Sequence, residues 1–307
     1  MKILVTGGAG FIGSHIVDAY LEAGHKVAVL DNLSTGDKRF VHPEAELYAI
    51  DILDPGVGPI LHKEKFDAIN HHAAQISVSD SVADPVFDAK SNIIGTLQLL
   101  TNAVSSKVGK FIFASTGGAI YGGQEYFPAG EDHVCKPTHP YGISKLSVEN
   151  YLRFYQETCG LKSVVFRYSN VFGPRQNPHG EAGVVAIFCS RLLENKTPTI
   201  YGDGEQTRNY ILVKDVVRAN MLALDPECSG IFNVSTEKET SVNTLYETLL
   251  QISGSKLKAE HAPARDYEQR RSAISYKKIK DAFEWEPQIP LEEALIETFQ
   301  YFKNQTG

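Results

Sequence analysis

The sequence predicts an α/β protein, a doubly wound parallel sheet followed by a smaller C-terminal α/β lobe. Three observations carry that reading. Through the first half, short apolar runs alternate with stretches of helical spacing, the order that builds a parallel sheet covered on both faces. Gly7, Gly10 and Gly13 lie in a G-x-x-G-x-x-G spacing between the first apolar run and the first helical one. The second apolar run ends in Asp31, an acid about twenty residues past the glycines.

Taken in order, Ile3, Leu4 and Val5 read as a buried strand, and residues 14–23 put Ile16, Ala19, Tyr20 and Ala23 on one helical face before Gly24. Gly7 permits the tight turn out of the strand, Gly10 lets the backbone approach a pyrophosphate, and Gly13 lets the helix pack close to the sheet. The free N–H groups of the helix face the phosphates. Residues 26–30 form the second strand. Asp31 is placed to accept a hydrogen bond from a ribose 2′-hydroxyl, which favours NAD over its 2′-phosphorylated relative; Lys38 and Arg39 lie well past the strand end.

Residues 46–50 read as a third strand, ending at Asp51, and residues 66–70 as a fourth, running into His71, His72, Ala73, Ala74 and Gln75. The small Ala73 and Ala74 at a strand's carboxyl end indicate close backbone approach to a cofactor. The histidine pair has no further ligands at workable spacing, so no metal is expected. Residues 84–105 form a long amphipathic helix through Val86, Ala89, Ile93, Ile94, Leu97 and Leu100. Asn92 interrupts its inner face, either as a bridge between backbones or as a contact near the active site, because a buried amide needs partners.

A fifth strand, residues 110–114, delivers Ser115, Thr116, Gly117, Gly118 and Ala119 at its carboxyl end. After a polar insertion, Pro140 suits the start of a helix on which Tyr141 and Lys145 are i and i+4 and share a face. A free phenol is a poor base near neutrality. Bringing it from about 10 to about 7 requires roughly 4 kcal/mol of preferential phenolate stabilisation. A lysine ammonium one turn away and the positive nicotinamide ring of NAD are the expected sources, making the pair a candidate acid/base.

In the second half, residues 184–193, 242–252 and 291–302 have helical patterns, residues 199–201 and 210–213 read as short strands, and Asp215 as the cap of a helix to Leu224. Residues 230–234 are expected to return to the main sheet, and Trp285 to serve packing. The division expected is a dinucleotide-binding domain over residues 1–169, with segments near 209–234 returning to it, and a substrate lobe over residues 170–307.

The chain's 307 residues are enough for two modest lobes around a shared cleft. A net charge of −7 argues against nucleic-acid or anionic-membrane surfaces, so bound phosphate must rely on a local cluster of Arg and backbone N–H groups. No apolar run is long enough to span a bilayer, and the N-terminal segment reads as a strand, not a signal peptide. Cys135, Cys159, Cys189 and Cys228 have no C-x-x-C spacing and read as free buried thiols of a cytoplasmic protein.

These motifs together resemble the extended short-chain dehydrogenase/reductase family, and within it the UDP-galactose 4-epimerases and their UDP-N-acetylhexosamine relatives. The matching pieces are TGGAGFIGSH from Thr6, DNLSTG from Asp31, HHAAQ from His71, NIIGT from Asn92, STGGAIYG from Ser115, PYGISK from Pro140, RYSNVFGPRQNP from Arg167, GDGEQTRNYILVKDV from Gly202 and FEWEPQIPLEEAL from Phe283. They run in order nearly end to end.

The resemblance implies a Rossmann-like fold and an isomerase of carbohydrate metabolism that keeps NAD bound and inverts C4 of a UDP-hexose through a 4-keto sugar. It implies that Gly7, Gly10, Phe11, Ile12 and Gly13 hold the pyrophosphate, Asp31 and Asn32 the adenosine ribose, and Asp51 and Ile52 the adenine. Ser34, Gly36, Ala73, Ala74, Asn92, Ser115 and Tyr168 complete the expected cofactor set. Tyr141 is the implied acid/base, with Lys145 as its partner. Asn170 is expected to contact the nucleotide sugar, and Arg208 with Arg265 to neutralise the UDP diphosphate, a task suited to guanidinium forks on an acidic protein. Gln75, Thr116, Gly117, Val184, Val185, Thr199, Tyr201 and Glu268 complete the expected substrate set.

Three departures from the family pattern stand out. The Ser or Thr expected four positions before Tyr121 is Gly117, which leaves Thr116 or Ser115 to supply the hydroxyl, or Tyr141 and Lys145 to work alone. The Asp and Glu of related dehydratases are Gly118 and Ala119, so the general acid for dehydration is missing. The R-x-G-D segment reads Arg265-Asp266-Tyr267-Glu268. Ser272 falls where hexosamine-accepting relatives carry a small side chain, which keeps UDP-N-acetylglucosamine beside UDP-glucose as a substrate. UDP-glucuronate 4-epimerase, nucleotide-sugar 4-ketoreductase and a non-catalytic NAD sensor are the alternative readings. A homodimer through residues 84–105 and 141–158 is expected by the same resemblance.

Overall fold

The apolar runs of the first half become parallel strands because each is too short to hide alone and rich in residues that pack on a pleated surface. The computed structural model describes residues 1–179, 183–265 and 269–306. Its first half runs β1 (Lys2–Thr6), α1 (Phe11–Glu22), β2 (Lys26–Leu30), β3 (Glu46–Tyr48), α2 (Val57–Glu64), β4 (Ala68–His71), α3 (Val78–Ala83), α4 (Pro85–Ala89), α5 (Gly95–Ser105), β5 (Lys110–Thr116), α6 (Pro140–Cys159) and β6 (Lys162–Tyr168). The second half adds β7 (Asn170–Phe172), α7 (Val184–Leu193), β8 (Thr199–Tyr201), β9 (Thr207–Leu212), α8 (Val213–Leu222), β10 (Gly230–Val234), β11 (Glu239–Ser241), α9 (Val242–Ser253), β12 (Glu260–Ala262), β13 (Arg271–Ser272), α10 (Lys277–Phe283) and α11 (Leu291–Thr306).

Seven strands form one parallel sheet in the order β10-β6-β5-β4-β1-β2-β3. The order reverses between β1 and β4, and a crevice at such a switch point is where ligands of this architecture bind. On one face, Leu4, Phe111, Phe113 and Val165 pack with Leu61, Leu99, Val148 and Leu152 of α2, α5 and α6. On the other, α1 and α8 cover the sheet through Ile16, Val17 and Tyr20 and through Val216 and Ala219. The smaller lobe has its own core, where α7, α9 and α11 close over β7, β8 and β9. Its sheets are β11-β9-β13 with β7 paired to β9, and the pair β12-β8.

Several elements differ from the sequence reading for physical reasons. Helix α1 starts at Phe11, directly out of the glycine turn, because Gly10 takes the capping position without a side-chain cap. Strand β3 stops at Tyr48, where the Ile50 N–H turns back to the Tyr48 carbonyl. The single helix expected over residues 84–105 is broken: Asp84 caps α4 by accepting the Phe87 N–H, and a π-turn at Lys90–Ile94 separates α4 from α5. That wider turn holds the buried Asn92, and the Thr96 hydroxyl closes onto the Asn92 carbonyl at 2.7 Å. Strand β9 ends at Leu212, and α8 begins at once with Leu212 at its cap position. Asp215 is therefore not the cap. Its carboxylate lies in the first turn and accepts from Arg218 and from the backbone N–H groups of Gln288 and Ile289, pinning the segment before α11.

Helix α6, which carries Tyr141 and Lys145, begins and ends on local signals. His139 accepts the Gly142 N–H, Pro140 occupies the first turn, and Gly160 closes the helix in the left-handed region at φ +70°. Trp285 is buried and meets Tyr276 edge-on. Cys189 and Cys228 are buried, whereas Cys135 is only half-buried and Cys159 is exposed, so the thiols are free but not uniformly interior. Among the described residues, no helix is long and apolar enough to cross a membrane.

Candidate active site

The glycine turn joins three elements at the switch point. Gly7 has φ +69°, and a Cβ there would stand 2.6 Å from the Ala73 nitrogen. A Cβ at Gly13 would meet the Gly7 carbonyl oxygen at 2.2 Å, so the helix packs where only hydrogen fits. Gly10 differs: a Cβ there would have only the Gly7 oxygen, at 3.2 Å, within contact range. One side of the turn is thus open, and the uncapped first-turn amides of α1, those of Phe11, Ile12 and Gly13, lie beside it. Such a cradle fits a pyrophosphate.

At the end of β2, Asp31 accepts the Ala9 N–H (3.0 Å) and the Leu33 N–H (2.8 Å). Gly36 abuts the same carboxylate, since a Cβ there would lie 2.9 Å from Oδ1. Asn32 donates to Asp51 Oδ2 at 2.7 Å and accepts from the Ser34 amide and hydroxyl, which gathers these three polar residues next to Asp31. Ile52, by contrast, is buried in the sheet–helix core and packs against Gly95.

After β4, Ala73 and Ala74 lead to Gln75, whose backbone N–H and carbonyl both bond to the Asn92 side chain at 2.9 Å. Of the two readings open for Asn92, the bridge between backbones is what these bonds describe. The Gln75 side chain folds onto the Ser77 backbone. His71 is a satisfied interior histidine, with Nδ1 2.6 Å from Thr6 Oγ1 and Nε2 2.9 Å from Thr96 Oγ1, and burial pulls its titration well below the usual range. His72 Nε2 lies 3.2 Å from the Tyr168 hydroxyl; burial, and then the Lys145 charge, lower it to about 3. Tyr168 is buried too, its hydroxyl also accepting from Asn220. Among the described residues, no group of three or more His, Cys, Asp and Glu side chains is placed to hold a metal.

The carboxyl end of β5 separates the two hydroxyls considered for the missing one. Ser115 is buried and donates to Glu149 Oε1 at 2.6 Å. Thr116 makes no hydrogen bond among the described side chains, and its Oγ1 lies 4.0 Å from where a Cβ on Gly118 would be. Asn170 Oδ1 lies 3.8 Å from that point. Gly117 has a steric explanation, because a Cβ there would strike the buried Ile274 at 2.2 Å. Position 118, in contrast, has room for a larger side chain and carries none. Residues 116–118 therefore meet both β7 and the segment after β13.

Lys145 Nζ donates to the Ala114 carbonyl at 2.9 Å and stands 4.8 Å from the Phe113 ring centre and 5.7 Å from that of Tyr141. Burial lowers the lysine to about 8, against the opposing charges of Asp88 and Glu149. The Tyr141 phenol is raised above its ordinary value, first by burial and then by Asp88. Desolvation therefore dominates at the phenol, and the nicotinamide charge that the expectation also calls on comes only with bound NAD. His139 stacks on Tyr141 at 6.3 Å. Neither His139 nor Asp88 stood out in the sequence; the only available signal for Asp88 was its place four residues before Asn92 on the same helical face.

In the smaller lobe, Arg208 on β9 donates to the Thr207 carbonyl at 2.8 Å and is paired in register with the buried Ser272 of β13. Arg265 lies 4.0 Å above the Tyr201 ring, and both line a cleft of about 240 Å³ with Gln206 and Arg270. Thr199 is exposed at the start of β8. Val184 opens α7 half-buried, while Val185 faces the lobe core. Glu268 lies outside the described residues.

Residues 3–235 match the model of the NAD dependent epimerase/dehydratase family. The chain belongs to that family. This NAD-dependent epimerase/dehydratase family member is 42% identical over 302 residues, 98% of either chain, to a putative UDP-glucose 4-epimerase of Methanocaldococcus jannaschii. It is similar throughout both chains to the crystal structure of the Thermotoga maritima UDP-glucose 4-epimerase with UDP-glucose, at 46% identity and a TM-score of 0.98. The Thermus thermophilus UDP-glucose 4-epimerase in complex with NAD matches with 42% identity and a TM-score of 0.95 over 99% of each chain.

Proposed function

We propose that the chain inverts C4 of a UDP-hexose, interconverting UDP-glucose and UDP-galactose through a 4-keto sugar. The observation that carries this is the placement of Tyr141 and Lys145 on one face of α6, beside a β5 end that touches Asn170 and bears no acid at positions 118 and 119. Dehydration has no general acid there, although Gly118 leaves space for one. Gly7, Gly10, Phe11, Ile12 and Gly13 hold the pyrophosphate of NAD, and Asp31 with the Asn32, Ser34 and Asp51 cluster holds its adenosine end. NAD held there would supply the hydride acceptor and donor for C4.

Tyr141 removes the C4 hydroxyl proton and gives it back after the ring has turned. Lys145 holds a positive charge near the phenol ring. Arg208 and Arg265 keep the diphosphate fixed, so that the keto sugar is retained while its ring is free to present the other face. Thr116 supplies the hydroxyl that Gly117 lacks, since Ser115 is committed to Glu149. Thr116→Val is expected to lower kcat about tenfold with the KM for the nucleotide sugar little changed; an unchanged kcat means that Tyr141 and Lys145 work without it.

The test of the reaction is an incubation with UDP-glucose, UDP-galactose and their N-acetylated counterparts, no cofactor added, followed by NMR of the anomeric protons. Inversion at C4 supports the reading, and the absence of a C4 epimer from every substrate rejects it. Ser272, small and buried, stands where the family resemblance puts a sugar-pocket residue, and on that ground the N-acetylated pair is the second substrate proposed.

The assembly proposed is a homodimer. Val86, Phe87 and Ile94 on one stretch and Ile143, Tyr151 and Phe154 on α6 are large apolar side chains left exposed, Val86 to 75%. Elements α4 and α6 pack together, and their exposed apolar side chains are the surface a second copy would cover. Light scattering is expected to give the mass of two chains, and Phe154→Asp that of one; a single-chain mass for the unaltered protein contradicts the dimer. The free thiols suit a reducing cytoplasm.

A further inference from the structure

We propose that Asp88 is a positioning residue for the Tyr141–Lys145 pair: its carboxylate ties the helix bearing both to the turn that holds the loop after β4. The inference rests on the acid/base reading of that pair. Asp88 is fully buried, and none of its contacts is explained by the roles assigned so far. Its Oδ2 accepts the Ser144 hydroxyl at 2.6 Å, and Ser144 lies between Tyr141 and Lys145 on α6. Its Oδ1 accepts Asn92 Nδ2 at 2.9 Å, and the same amide grips both backbone groups of Gln75. One unbroken polar chain thus runs from the loop after β4, through the π-turn, to the first turns of α6.

Both hydrogen-bond partners of Asp88 are neutral, and it forms no ion pair among the described residues. Lys145 is the cation whose titration Asp88 alters. The other carboxylate acting on Lys145, Glu149, is already engaged by two N–H groups of Arg167 and by Ser115. The remaining groups around the pair do not supply a charge: burial keeps His71 and His72 neutral, His139 accepts the Gly142 N–H, and Lys90 on the adjoining turn is exposed. Asp88, bonded to Ser144 between the two, is thus a carboxylate whose charge raises both Tyr141 and Lys145.

The sign follows directly. A negative charge raises the pKa of every group facing it, so its removal lowers both the phenol and the ammonium. In NAD-loaded protein, the tyrosinate absorbance that disappears in Tyr141→Phe reports the phenol titration. Asp88→Asn is expected to move that titration toward acid by about one pH unit. Ser144→Ala keeps the charge and releases the anchor, and is expected to lower kcat about tenfold with the titration unmoved. A titration unmoved in Asp88→Asn overturns the inference whatever happens to turnover. Where Asp88→Asn does not fold, an undiminished kcat in Ser144→Ala overturns it instead. A shifted titration in a protein that epimerises no UDP-hexose sinks the proposed reaction and leaves the role of Asp88 standing.

Discussion

Tyr141→Phe is expected to lower kcat by at least about a hundredfold, the usual worth of a positioned acid/base. The phenyl ring preserves the packing: it can still stack on His139 and lie beneath Lys145 Nζ, so the change removes one oxygen and its proton. NAD content after purification and affinity for UDP should both be retained, because the glycine turn and the arginines of the smaller lobe are untouched. Steady-state kinetics with a UDP-hexose, read beside bound NAD per chain, makes the check. Near-normal turnover removes Tyr141 from the acid/base role. Burial raises the phenol, so proton transfer at neutral pH depends on the positive charge that bound NAD would bring.

Glu149→Ala is expected to lower stability by about 3–5 kcal/mol, because it strands a buried guanidinium. Arg167 and Glu149 form a bidentate pair with side chains only 4% and 3% exposed. Glu149 also accepts the Ser115 hydroxyl, and Arg167 donates to the Tyr121 hydroxyl, which donates in turn to Asn233. One deletion therefore disturbs α6, β5, β6 and β10 together. Denaturant unfolding monitored by circular dichroism should show the midpoint fall. Replacing both members with apolar residues, Glu149→Met with Arg167→Leu, should recover most of the loss, as it leaves no lone buried charge. Equal midpoints for Glu149→Ala and the unaltered chain contradict this account.

The parts of the molecule that were legible in the sequence are those governed by local chemistry. The glycine spacing, Asp31 after the second apolar run, and Tyr141 four residues before Lys145 behind Pro140 each express a rule that acts within one turn or one strand–helix junction. Contacts between distant residues were not legible. Gly117 gains its reason only when Ile274 arrives from the far end of the chain and fills the place of a Cβ. Asp88 carried no signal in the sequence, and its place emerges only when Ser144 closes on it from a distant helix. The π-turn escaped the sequence pattern because one wider turn shifts the apolar stripe by a single residue while leaving it recognisable. The setting of Tyr141 was illegible for a related reason: spacing reveals the neighbouring lysine, but not the burial and the Asp88 charge that raise the phenol.

In the proposed reaction, hydrogen leaves C4 and returns to the same sugar without exchanging with water. Epimerisation of UDP-glucose deuterated at C4, with no cofactor added and the product followed by NMR, tests it most directly. UDP-galactose with the deuterium still at C4 is the expected product. Deuterium lost to solvent during inversion, or no inversion of any UDP-hexose by protein that retains NAD, contradicts it.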